Sequence, residues 1–181
     1  EAEALLGEVC RVTPLRRPLA MDRARASLAA GRSLGEDEIS LYIGIPFCPT
    51  RCAYCSFVSA DVGRTLKLVE PYLEGLLAEL AETGRVLKET GLTVRTLYVG
   101  GGTPTTLSAG QLERLLTAAR AHLPLETCVE YTVEAGRPDT ITREKLEVLR
   151  DQGIGRISIN PQTLEAAVLA AIGRKHSAQA I

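Results

Sequence analysis

From Leu41 onward, apolar and polar residues fall into two alternating periods. Leu41, Ile43 and Ile45 alternate with Tyr42 and Gly44, which predicts a strand over 41–45 ended by Pro46. Leu73, Leu76, Leu77 and Leu80 then recur at helical spacing, with Pro71 suited to the first turn and Gly91 to the stop. A second strand over 94–99 runs into Gly100-Gly101-Gly102-Thr103-Pro104-Thr105. Ser108 and Gln111 read as a capping box for the next helix, which carries Leu112, Leu115, Leu116 and Ala119. The third unit is a strand over 129–135 and a helix capped by Thr142, carried on Leu146 and Leu149 and closing at Gly153. The fourth is a strand over 154–160 and a helix from Thr163 through Leu164, Val168, Leu169 and Ile172.

Strand and helix thus alternate four times, which calls for an α/β fold with parallel strands and right-handed crossovers. Val129, Tyr131 and Val133 alternate with Glu130, Thr132 and Glu134, and Ile157 and Ile159 with Arg156, Ser158 and Asn160. Buried parallel strands usually read as continuous apolar runs, so one face of this sheet is polar. A wide or incomplete (βα) barrel around a polar ligand satisfies that pattern, as does a sheet with one half-exposed face. Residues 1–40 are set apart as an N-terminal helix and linker segment, where Pro14 and Pro18 interrupt a weak period of Ala4, Leu5 and Val9. Residues 41–181 form the core domain. The chain opens on Glu1 and stops soon after a helical pattern with no finish, so a fragment is expected.

Composition narrows the function classes. With 45% hydrophobic residues and a net charge of -1, the 181 residues suffice for a real core and offer no basic stripe for nucleic acid. The six arginines scattered from Arg11 to Arg32, with Glu1, Glu3, Glu8, Asp22 and Glu36 nearby, read as a solvated face. No stretch reaches membrane-spanning length and no leader pattern precedes the domain, which makes a cytoplasmic protein the expectation. Five cysteines are an odd count at ordinary density, against a disulfide framework. Cys10 and Cys128 read as structural or incidental, and His122 as a charge partner for a helix C-terminus. His176 is left unassigned.

Cys48, Cys52 and Cys55 stand as Cys-x3-Cys-x2-Cys. Three thiolates fit a [4Fe–4S] cluster with one iron left open, whereas a structural zinc site needs a fourth ligand that no nearby Cys or His supplies. From these residues alone zinc and iron both stand. Their setting favours iron. In parallel architectures functional groups gather at the C-terminal ends of strands, where the cysteine loop, the glycine run, Glu134, and Asn160 with Gln162 are all expected.

With Tyr54 as the aromatic of Cys-x3-Cys-x-aromatic-Cys, the motif resembles the signature of the radical S-adenosylmethionine (SAM) superfamily. Within it, Ile45-Pro46-Phe47-Cys48, Gly100 to Thr105, Arg156-Ile157-Ser158-Ile159-Asn160-Pro161-Gln162-Thr163 and Ile172-Gly173-Arg174-Lys175-His176 resemble the oxygen-independent coproporphyrinogen III oxidase family. The likeness is closest to its HemZ branch and covers about residues 41–181. It implies a partial radical SAM barrel, about four βα units of a six-unit open barrel, expected to be inactive alone. Its implied cofactors are a [4Fe–4S] cluster on Cys48, Cys52 and Cys55, and SAM on the open iron. Gly101 and Gly102 then admit backbone amides to the methionyl end of SAM, and Thr103 adds a hydroxyl. Tyr54 packs on the adenine and Tyr42 donates its hydroxyl. Glu134 accepts from ribose or the ammonium group, unless it pairs with Arg156. Gln162 and Arg174 match positions that touch SAM, the bland alternative for Arg174 being a solvated helix end. The implied reaction is oxidative decarboxylation of coproporphyrinogen III to protoporphyrinogen IX, with a porphyrinogen substrate and an unidentified reductant as partners. Better-known members carry a fourth Cys where this chain has Phe57, a departure shared with both the HemZ branch and a heme-chaperone branch; a heme chaperone on the same scaffold is the alternative.

Overall fold

The computed structural model describes residues 1–57 and 59–181. The chain divides into two compact units, Glu1–Glu36 and Asp37–Ile181. The first holds α1 (Ala2–Glu8) and α2 (Arg17–Arg32), with Pro18 in the opening turn of α2, where a missing N–H costs nothing. Pro18 therefore starts a helix rather than interrupting one. Arg11, Arg16, Arg23 and Arg25 are exposed and Arg17 is half-buried, while the side chain of Arg32 lies outside the described residues.

The second unit begins at β1 (Glu38–Ile45), three residues ahead of the predicted strand. Then come β2 (Phe47–Cys48), β3 (Ala60–Asp61), α3 (Val62–Thr90), β4 (Thr93–Gly101) and α4 (Ala109–His122). The unit continues with β5 (Glu130–Glu134), α5 (Arg143–Asp151), β6 (Arg156–Ser158) and α6 (Ala166–Ala171). β1, β4, β5 and β6 form one parallel sheet in that order. When each right-handed crossover adds its strand on the same side, the helices collect on one face and the other is left as a lumen. The radical SAM half-barrel expected from the sequence has this arrangement.

The core lies between sheet and helices. Ile43, Ile45, Leu97, Val99 and Val133 meet Leu73, Leu76 and Leu80 of α3, Leu112, Leu115 and Leu116 of α4 and Leu149 of α5. On the opposite face Tyr42, Tyr98, Thr132 and Arg156 form one cross-strand row, and Tyr42 stacks on Tyr98 with centroids 5.8 Å apart. The caps follow the sequence: Ser108 and Gln111 make both bonds of the box, Thr142 accepts from Lys145 N–H, and Gly91 and Gly153 take positive φ. Among the described residues no helix is long and apolar enough to cross a membrane.

Three further expectations fail for physical reasons. Pro71 lies inside α3, because Asp61 caps the helix much earlier by accepting from Gly63 N–H, and non-helical Thr65 marks a kink there. The helix predicted from Thr163 starts only at Ala166. Asn160 Oδ1 accepts from Gln162 N–H, Thr163 Oγ1 from Glu165 N–H, and Gln162 has φ +66°, so side-chain turns delay the helix. Val129 is exposed and precedes β5, and Ile157 and Ile159 are each 38% exposed, since β6 forms the edge of the sheet.

α3 and α4 pack closely at Gly84, where a methyl group would run into the His122 carbonyl, whereas Gly75 of the same helix has open space. Gly75→Ala is expected to stabilise the fold by up to about 1 kcal/mol. Gly84→Ala is expected to destabilise it by about 1–3 kcal/mol, because backbone cannot swing aside as a side chain does. Urea unfolding of both variants checks the opposite signs.

Candidate cofactor site

The site is built where β1 and β4 end. After Ile45 the chain turns through Pro46 into Cys48, and after Val99 it continues through three glycines, so two loops meet side by side. Gly102 N–H donates to Ile45 O at 2.7 Å and Thr103 N–H to Phe47 O at 2.8 Å. Such contact requires bare backbone: a Cβ on Gly102 would lie 2.7 Å from Phe47 O and 3.0 Å from Cys48 Sγ. Gly101 has φ +111°, and a Cβ there would meet the Ile45 backbone at 2.7 Å.

One cavity of 120 Å3 is lined by Cys48, Cys52, Cys55, Tyr54, Gly101, Gly102, Thr103, Glu134, Gln162 and Arg174, together with Phe57, Gly136, Arg137 and Asn160. The structure thus brings together every residue assigned to the site from sequence except Tyr42. That ring stands on the lumen face over Tyr98, its hydroxyl turned toward Gly100. A hollow of 330 Å3 beside Arg120, Cys128 and Tyr131 is larger but gathers no set of thiols. Chemistry, not volume, picks out the site.

The cysteines are free thiols, Cys48 and Cys52 buried and Cys55 half-buried. Cys48 Sγ lies 3.4 Å from Thr103 Oγ1, and Cys55 N–H donates to Cys52 O at 3.1 Å, closing the loop into a turn. Among the described residues no three His, Cys, Asp or Glu side chains converge on a single metal ion. A cubane differs from a single ion in that each thiolate would bind its own iron, so three sulfurs need not converge on one point.

Around the thiols stand polar groups that the protein alone does not fully satisfy. Arg174 donates from Nη1 to Gly136 O at 2.8 Å and from Nη2 to Tyr54 Oη at 3.2 Å, while its buried Nε has no partner among the described residues. Among the described residues Glu134 pairs with no arginine; Arg156 binds Glu130 at 3.1 Å instead. Burial pushes the Glu134 carboxyl up, and the Gly101 N–H offsets this only in part. Burial, then the charge of Glu134, also raises the Tyr42 and Tyr98 hydroxyls. An orphaned cationic donor and a desolvated carboxylate beside three thiols and a glycine cradle match the groups of an amino-acid-bearing cofactor bound at a cluster.

Arg137, which sequence reasoning passed over, donates from Nη1 to Cys52 Sγ at 3.3 Å. It follows Glu134 by three residues in the loop after β5, and that position at a strand's C-terminal end was the available signal. Beneath it Lys145 Nζ donates to Thr105 O at 2.6 Å and Thr140 O at 3.0 Å, locking the glycine-loop turn to the Arg137 turn. His176 is buried, with Nε2 3.3 Å from Pro161 O, and does not line the cavity.

A parallel α/β half-barrel with a thiol-lined cavity at its strand ends defines a cluster-and-cofactor domain. The profile described as the Radical SAM superfamily matches residues 42–181, and the chain belongs to that superfamily. Its cofactors are accordingly a [4Fe–4S] cluster and SAM. The oxygen-independent coproporphyrinogen-III oxidase-like protein HemZ of Bacillus subtilis is 48% identical over 145 residues, 80% of this chain and 29% of that protein. The heme chaperone HemW of Lactococcus lactis is 44% identical over 138 residues, 76% of this chain and 34% of that protein. The solved structure of Escherichia coli HemN, coproporphyrinogen III oxidase and a Radical SAM enzyme, aligns with TM-score 0.71 at 29% identity, covering 86% of this chain and 35% of that one. The chain spans about a third of the length of these relatives.

Two outcomes follow from the geometry. Gly102→Ala is expected to push Cys48 aside and weaken cluster retention roughly 10-fold, read as iron and sulfide per chain after anaerobic reconstitution. The folded chain holds the Glu134 proton more tightly than the unfolded chain does. Its contribution to stability is therefore full below the ordinary carboxylate pKa and is lost as pH rises through the elevated folded value. Glu134→Gln is expected to flatten that decline and to leave the cluster-free chain more stable at neutral pH. A pH series of urea-unfolding curves identical to that of the parent would contradict this.

Proposed function

We propose that the complete protein carries out the oxidative decarboxylation of coproporphyrinogen III, with Cys48, Cys52 and Cys55 as the cluster ligands. The observation that carries the SAM part is the meeting of these thiols with Gly101, Gly102, Thr103, Glu134 and Arg174 in one cavity. The porphyrinogen part is supported by the 48% identity to the oxidase-like HemZ. Held there, the reduced cluster and SAM would supply a deoxyadenosyl radical able to take a hydrogen atom from the β-carbon of a propionate, leaving methionine and deoxyadenosine; the carbon radical would lose CO2 and pass one electron to an external acceptor to become a vinyl group.

The chain's own residues bind and orient. Gly101 and Gly102, lacking Cβ atoms, leave room for the methionyl end of the cofactor beside backbone whose N–H groups are already given to Glu134 and Ile45 O, and the orphaned Nε of Arg174 finds its acceptor in an anionic cofactor group. Glu134 accepts from the ribose hydroxyls or the ammonium, gaining the donors that its half-buried carboxylate lacks. Thr103 holds Cys48 in place, Tyr54 covers the adenine from a position fixed by Arg174, and Gln162, in its positive-φ turn, presents backbone to the same ligand. Tyr42 closes the lumen side. A reductant delivers the electrons, and the reducing cytoplasm keeps the thiols free.

A second reading, heme chaperone, is favoured by the 44% identity to HemW; Phe57, an exposed ring lining the cavity, is as compatible with it as with the oxidase-like HemZ. The discriminating experiment gives the anaerobically reconstituted complete protein SAM, dithionite and coproporphyrinogen III, and in parallel heme. Vinyl products with release of deoxyadenosine support the oxidase; stoichiometric heme binding without vinyl product sinks it in favour of the chaperone. Zinc in place of iron and sulfide sinks both. Arg174→Ala is expected to weaken SAM binding about 10-fold or more, as loss of a hydrogen bond to a charged group does.

A further inference from the structure

Arg137 is the group that neither the cluster ligands nor the SAM contacts account for. Its side chain is 2% exposed, a costly place for a cation unless every donor is matched. All five N–H groups have acceptors. Nε and Nη2 reach the two oxygens of Asp139 at 3.2 and 3.4 Å, Nη2 also donates to Thr50 Oγ1 at 2.9 Å, and Nη1 donates to Thr50 O and Cys52 Sγ, both at 3.3 Å. The guanidinium thus lies between a carboxylate on one side and a single cysteine sulfur on the other, and pins the loop residue two places before that cysteine.

We propose that Arg137 is a positioning residue that tunes the cluster through Cys52. Its Nη1–H holds Sγ in one orientation and draws electron density from it, raising the reduction potential, and Asp139 limits how much positive charge the sulfur feels. This rests on the reading of Cys52 as a cluster ligand. Reduction adds a negative charge to the cluster, so a nearby cation stabilises the reduced form more than the oxidised one. Hydrogen bonds to the sulfurs and net local charge are among the levers that set such potentials. Burial strengthens the effect, because little water screens the pair.

The two partners of Arg137 give a test with opposite signs. In the complete protein, reconstituted anaerobically and titrated under EPR without SAM, Arg137→Gln is expected to lower the cluster midpoint potential by at least about 59 mV, a tenfold change in the one-electron reduction constant. Asp139→Asn, which keeps the shape but removes the counter-charge, is expected to raise it. A purely structural role would loosen the loop in both variants and shift both potentials the same way, or neither. Coincident potentials or shifts of one sign overturn the proposal while leaving Cys52 as a ligand. If Arg137→Gln retains no cluster, Asp139→Asn decides alone: a rise supports the proposal, and an unchanged or lower value overturns it. A parent protein that takes up no iron or sulfide overturns the ligand reading, and this inference with it.

Discussion

Two backbone hydrogen bonds, Gly102 N–H to Ile45 O and Thr103 N–H to Phe47 O, carry the arrangement of the site. They extend the pairing of β1 with β4 past the end of the sheet, so the cysteine loop and the glycine loop continue as neighbours where strands would ordinarily diverge. Everything else is placed relative to that seam. Cys48 falls against Thr103, and the loop after β5 comes in alongside through Glu134 and the Gly101 N–H. The Lys145 amine then ties the two turns below into one floor. A side chain at Gly102 would separate the loops, and no repacking of flexible atoms could compensate, because its first neighbour is backbone.

The division of labour between the two faces of the sheet explains how a small half-barrel tolerates so much unmatched polarity. The helix-side face is filled by branched and leucine side chains buried to a few per cent or less, and it supplies the stability. The lumen face carries the stacked tyrosines, Thr132, Glu134 and Arg156, and supplies the chemistry. Glu134 and Arg174 each keep a polar group short of partners, which destabilises the empty fold and favours a ligand that completes them. Evenly satisfied networks, like the five-bonded Arg137, instead hold geometry fixed.

What the sequence disclosed depended on the range of the interaction involved. Alternation of Ile43 and Ile45 with Tyr42, the Ser108–Gln111 box and Gly91 are written in adjacent residues, and each appears in the structure as read. Pro71 misled because a local rule, proline in a first turn, lost to a cap ten residues earlier whose signal was the side chain of Asp61. The late start of α6 came from side-chain turns at Asn160 and Thr163, groups that compete with helix in a way periodicity does not register. Arg137 escaped notice since its partners, Thr50 and Cys52, lie more than eighty residues away; only the fold brings them within 3.3 Å. The exposure of Ile157 and Ile159 reflects the edge position of β6, a property of sheet order rather than of those residues.

Charge placement at the thiols separates this site from a simple metal clip. A structural zinc site is held by its ligands and has little use for a buried guanidinium aimed at one sulfur. A redox cluster has a reason for such a group, because its charge changes in use and the surrounding dipoles set which state is preferred. The same consideration gives Asp139 a part: with no counter-ion, a cation buried to this depth would be expensive when the thiols are bare. With Asp139 present, Arg137 can stay in place through loading and reduction alike, so that electron transfer meets a site already organised for the charge it is about to receive.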